Sequence, residues 1–174
     1  MKKVLILTYY WPPSGGAGVQ RWLKFAKYLR SFGYEPVIYT ALDAEYPVLD
    51  KSLETDIPEG IEILRETIRE PYSIYRQFLG KKKDERTYNV FISEDNKQNW
   101  KQKLALYIRA NYFIPDARFL WIKPSGRFLS KYLKENKIDI IASTGPPHSM
   151  HLIAKKARHG HKYSLAGRFS RPLD

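Results

Sequence analysis

The sequence predicts an α/β protein of Rossmann-like, doubly wound type: a mainly parallel sheet with helices on both faces. Three observations carry this expectation. Residues 4–7 (VLIL) and 138–143 (IDIIAS) are short apolar runs without strict alternation, the pattern of strands covered on both faces. Each run passes at once through glycine and proline into an amphipathic segment. The first such unit then returns to a second strand by residue 41, giving β–loop–α–β in one short stretch, the building block of a parallel sheet.

In chain order, the strand at 4–7 ends before Pro12 and Pro13, which lack a backbone N–H and stop regular structure. Gly15, Gly16 and Gly18 follow in a loop that tolerates positive φ and close approach of a ligand to the main chain. From Val19, the residues Trp22, Leu23, Phe25, Ala26 and Leu29 fall at helical spacing, and Gly33 closes that helix. Residues 34–41 (YEPVIYTA) read as the second strand. Residues 42–60 read as a polar loop with one helical turn, and 61–68 (IEILRETI) as the third strand.

Residues 71–79 are expected to form a short helix, 80–98 an excursion from the sheet at the rim of a cleft, and 99–113 an amphipathic helix. The last carries Lys101, Lys103 and Arg109 opposite an apolar face, and either packs on its own core or lies on a membrane surface. A helix from 123 to 136, the buried strand at 138–143 and a helix from 149 to 159 complete the pattern. Between the last two sits Thr144–Gly145–Pro146–Pro147–His148, a second strand–glycine–proline–helix turn like the first. In an open parallel sheet both turns lie at the carboxyl ends of strands, where ligands bind.

Composition narrows the function. At 174 residues, 43% hydrophobic and 14% aromatic, the chain is one globular domain. It has no cysteine, which excludes disulfides, thiolate metal sites and cysteine nucleophiles. No apolar run approaches the roughly 18–20 residues that span a bilayer. A net charge of +12 favours anionic partners: phosphorylated ligands, an acidic membrane surface or nucleic acid. Nucleic acid is disfavoured, because no arginine-rich arm, zinc finger or RNA-binding signature is present. The glycine loop meets only the first half of the G-x-G-x-x-G cofactor fingerprint, since Arg21 stands at the third glycine position. Asp43 also falls just past the place for a ribose-binding acid, so a nicotinamide enzyme is disfavoured too.

The stretches YYWPPSGGAGVQRWLKFAKYL, IPDARFLWIKPS and STGPPHSMHLIAKK, in this order, resemble the N-terminal domain of bacterial family-four-like glycosyltransferases, retaining enzymes of the two-Rossmann-domain GT-B type. The resemblance spans residues 1–158. It implies that Gly15, Gly16 and Gly18 approach the diphosphate and sugar of a nucleotide-sugar donor. Gln20 and Arg21, at the helix start, are further candidates for phosphate or acceptor. The catalytic candidate is His148, holding a sugar hydroxyl or stabilising developing charge. His151 is expected to be structural, and Asp116 with Arg118 to form an ion pair at the cleft rim. No metal or cofactor is implied beyond the donor substrate.

The partners implied are a nucleotide sugar, a sugar or lipid-linked acceptor of cell-surface polysaccharide type, a C-terminal nucleotide-sugar domain and an anionic membrane. Location would be cytoplasmic, peripheral on the inner membrane face. The expected organisation is a single acceptor-side domain over 1–174, without the C-terminal domain and inactive alone. Residues 161–174 form an atypical tail that echoes the family's next strand without its acids. The alternative reading is a non-catalytic phosphate- or nucleotide-binding module.

Overall fold

The computed structural model describes residues 1–42, 44, 46–68, 115, 116 and 118–158, and the backbone of 164–169. The elements are β1 (Lys2–Leu7), α1 (Ala17–Leu29), β2 (Tyr34–Ala41), β3 (Glu62–Glu66), α2 (Ile122–Glu135), β4 (Ile140–Gly145), α3 (Ser149–Arg158) and β5 (Ser164–Phe169). Short 3₁₀ turns cover Arg30–Phe32, Lys51–Asp56 and Phe119–Trp121. The five strands pair in the order β3-β2-β1-β4-β5, all in parallel. The chain therefore winds outward one way from β1 and the other way from β4, and the reversal falls between these two neighbours. This is a Rossmann-like α/β fold.

The apolar run of β1 is continuous because both sheet faces are covered. Val4 and Ile6 pack with Val19, Leu23 and Ala26 of α1 and with Leu53. Leu5 and Leu7 point the other way, toward Leu129 and Leu133 of α2 and Met150 and Ile153 of α3. Burying a side chain of this size contributes about 1.5–3 kcal/mol, so each face holds its own helix layer independently. The α1 helix ends at Leu29 and tightens into the 3₁₀ turn Arg30–Phe32, and the expected glycine, Gly33, closes that turn in the left-handed conformation (φ 81°).

Elements differ from expectation mainly at their ends. β1 starts earlier, because Lys2 and Lys3 are drawn into the ladder opposite Tyr34 and Glu35. The Lys3 N–H also donates to the Asp139 carboxylate (2.8 Å). β4 starts later than the apolar run suggests and extends to Gly145, which pairs with Phe169 of β5. The stretch 164–169, expected within an atypical tail, thus adds a parallel edge strand. The expected helices at 71–79 and 99–113, the excursion at 80–98, Asp43, and residues 159–163 and 170–174 lie outside the described residues.

Aromatic side chains finish the carboxyl edge of the sheet. Trp121 stacks on Tyr39 (centroids 5.5 Å, 22°) and takes Tyr9 on its edge (6.3 Å, 77°). The Tyr39 hydroxyl donates to Glu66 (2.8 Å), and burial, the largest influence, raises its pKa so that it stays a donor. The Phe119–Trp121 turn is thereby fastened over the ends of β1 and β2.

Candidate functional site

Leu7 of β1 stands opposite Ser143 of β4, so the two glycine–proline turns leave the sheet side by side, at one edge and at the switch point. An open parallel sheet forms its ligand crevice at this place. The sequence candidates Gly15, Gly16, Gly18 and His148 are thus brought to a common edge, as their strand positions require.

The three glycines are not equivalent. Gly15 donates its N–H to Val48 (2.9 Å), and the Asp50 N–H donates to Pro13 (2.8 Å), while Ser14 bridges Leu49 in antiparallel fashion. A Cβ on Gly15 would lie 3.0 Å from Val48 Cγ1 and 3.1 Å from Asp50 Cβ. Its missing side chain is needed by the loop's own packing. Gly16 has φ 103° and ψ 166°, a conformation that costs other residues strain, and serves as the N-cap of α1. Among the described residues no side chain caps this helix, and its first turn holds no acid. Nothing lies within 4 Å of where a Cβ on Gly16 or Gly18 would be. The positive end of a 13-residue helix thus opens on exposed glycine backbone, the arrangement that receives phosphate or carboxylate. Beneath the loop, Trp11 Nε1 and Ser14 Oγ are buried without a hydrogen-bond partner, a polar demand that water or a ligand group can meet. Gln20 and Arg21 are exposed a turn inside α1.

The second turn is built differently. Gly145 ends β4 beneath two imidazoles: a Cβ there would lie 2.8 Å from His151 Nε2 and 3.4 Å from His148 Nδ1. The two rings lie 6.2 Å apart, inclined by 29°. His148 is exposed, while His151 Nδ1 shares a hydrogen bond with the Ser143 hydroxyl (2.8 Å), in keeping with a structural role. Burial first, and the neighbouring His148 second, lower the pKa of His151, so it stays neutral further into the acid range than an ordinary histidine.

The start of α3 is already occupied by a carboxylate. Asp116 Oδ2 accepts the Ser149 N–H (2.7 Å), and its Oδ1 accepts the Ser149 hydroxyl (2.7 Å) and the Arg118 N–H (2.8 Å). The expected Asp116–Arg118 ion pair is therefore not formed. Arg118 gives Asp116 its main-chain N–H, and its guanidinium goes to Tyr9 instead, donating to the hydroxyl (3.1 Å) and lying 4.7 Å from the ring centroid. The Asp116–Arg118 segment is a strap, with one end on the α3 turn and the other on the residue that leads into the glycine loop. The Tyr9 carbonyl accepts in turn from Thr40 (3.3 Å) and Tyr46 (3.4 Å). Sequence reasoning missed Tyr9 and the capping role of Asp116. The Asp116 cap reaches across 33 positions, so local spacing carries no trace of it. An Asp after a proline break was the only signal.

Among the described residues no group of three His, Cys, Asp or Glu side chains could hold a metal ion, and no helix is long and apolar enough to cross a membrane.

No protein-family model and no curated protein matches the chain. Solved structures of similar chain path include the C-terminal domain of a hydrogenase from Pyrococcus furiosus (10% identity, TM-score 0.48, 96% of this chain and 91% of that one). MurG from Acinetobacter baumannii is another (16%, 0.45, 96% and 35%). A third is UGT2 from Phytolacca americana in complex with UDP-2-fluoro-glucose and pterostilbene (13%, 0.47, 97% and 30%). The chain spans 35% and 30% of the lengths of the last two.

Proposed function

We propose that this chain is the acceptor-side domain of a glycosyltransferase. It would help move a sugar from a nucleotide-sugar donor to a cell-surface polysaccharide or lipid-linked acceptor, at the cytoplasmic face of the membrane. The observation that carries the reading is the pairing of an uncapped helix end at Gly16 with the exposed His148 on adjacent strands. The sequence resemblance adds the class of ligand.

In this reading the N-terminus of α1 takes the donor diphosphate, through backbone N–H groups around Gly16 and Gly18 and the helix dipole. His148, one strand away, meets the sugar. Its part is to hold a sugar hydroxyl or stabilise charge as the leaving phosphate separates, by a hydrogen bond that strengthens in the transition state. Gly15 keeps the loop against 48–50, and the Asp116–Arg118 strap keeps the two turns in register. Positioning and electrostatics are the whole contribution of this half. The C-terminal domain that the resemblance implies would supply most contacts to the nucleotide and the rest of the donor site, so the isolated chain should bind without turnover.

A second reading, a phosphate- or nucleotide-binding module without catalysis, is favoured by one observation. Asp116, the carboxylate at the start of α3, is spent on capping, leaving His148 as the titratable side chain that the described part of this turn exposes. Isothermal titration with a panel of nucleotide sugars and the matching free nucleotides separates the two. Tighter binding of one nucleotide sugar than of its nucleotide, lost in His148→Ala, supports transfer. Equal binding of both supports the module, and no binding of either contradicts both.

A further inference from the structure

The outer side of α1 carries a feature that the crevice does not use. Phe25 is 47% exposed, Tyr28 57%, and Phe32, in the 3₁₀ turn that follows, 75%. Trp22 joins them at the partly buried flank, its ring 5.5 Å from that of Phe25. Large aromatic side chains held in water in one row are costly unless something covers them. The same helix carries Arg21, Lys24 and Lys27 and no acid at all. Lys27 has Asp56 at 3.6 Å, but both are more than half exposed, and such a pair is easily exchanged for another anion.

From this we propose that the outer face of α1, continued by the Phe32 turn, is a docking surface for an anionic lipid bilayer. Aromatic rings beside lysine and arginine suit the headgroup boundary. There the rings enter the apolar edge while the cations stay at the level of lipid phosphates. Charge decides against a second copy of the chain as the occupant, because two such faces would bring their α1 cations together. The inference deepens the membrane location of the proposed function and is independent of sugar transfer, since its readout is lipid binding. If both hold, the Gly16 end of α1 lies near the bilayer, where a lipid-linked acceptor would be reached.

Co-sedimentation of the full chain with phosphatidylcholine vesicles, with and without phosphatidylglycerol, tests the proposal. Binding is expected only with phosphatidylglycerol and should weaken with salt. Lys24→Glu/Lys27→Glu and Phe25→Ser/Tyr28→Ser/Phe32→Ser should each lower partitioning by about tenfold or more, with the circular dichroism spectrum unchanged. Arg127→Glu/Lys131→Glu, on the basic groove between α2 and α3, should bind as the parent does. The proposal is overturned if the chain ignores anionic vesicles, or if the α2 variant loses binding while both α1 variants keep it. It is equally overturned if sedimentation velocity shows a dimer that the aromatic variant dissociates.

Discussion

The turns after β1 and β4 share a plan of strand, glycine, proline and helix, yet they end in opposite electrostatic states. At α3 the positive helix end is neutralised from within: Asp116 takes the Ser149 N–H and hydroxyl, each at 2.7 Å. At α1 no side chain among the described residues caps the helix, and no acid stands in its first turn. Of the two helix ends at this edge of the sheet, one is thus closed by a side chain and the other is left open. The lesson concerns division of labour. The first turn offers backbone and a dipole, which suit a phosphate. The second offers an imidazole on a rigid, already satisfied base, which suits a hydroxyl.

Substitutions can break this contrast, and the largest effect should come from Gly16. Gly16→Val puts a β-branched residue at φ 103° and should cost about 3 kcal/mol in chemical denaturation, with loss of nucleotide binding. Asp116→Ala removes the cap of α3 and should cost about 2 kcal/mol by urea titration, while the α1 end keeps its affinity for nucleotide. Loss of nucleotide affinity in that variant without loss of stability would reverse the assignment of the two ends. His148→Ala should change stability by less than about 0.5 kcal/mol, since the side chain is exposed. It should nevertheless erase any preference for nucleotide sugar over nucleotide in calorimetry.

The smallest effect concerns pH. His151 has a folded pKa below its unfolded value of about 6.5, so the unfolded chain binds the proton first as pH falls. Stability from this group is complete above that value and declines below it, until the folded form also protonates. His151→Gln should flatten that part of a stability–pH curve, whereas an unchanged slope would place its origin in another group.

Much of the fold was legible in the sequence because the relevant forces are local. The second strand, Tyr34–Ala41, follows the glycine that closes the 3₁₀ turn after α1 and reads correctly to the residue. The α1 and α3 faces follow helical spacing. What the sequence did not display arises from pairing between distant segments. Lys2 and Lys3 join β1 only because β2 runs beside them, and 164–169 becomes a strand by pairing with β4. The crevice shows the same limit. Gly16 and His148 stand out by residue type and position after buried strands, and the strand order then brings the turns that carry them to one edge of the sheet. The Asp116–Arg118 strap depends on where a chain break folds back, and charge pattern alone suggested an ion pair that the structure replaces with a cap and a tyrosine contact.

The central claim is that an anion enters at the open end of α1 and not at the occupied end of α3. Amide chemical-shift mapping of the full chain, titrated with a nucleotide sugar, examines it directly. The account predicts the largest shifts at Gly16, Ala17 and Gly18 and on the His148 ring, with Ser149 and Met150 little changed. Shifts centred on Ser149 and Met150, or on the opposite edge of the sheet around Gly33 and Asp139, would contradict it.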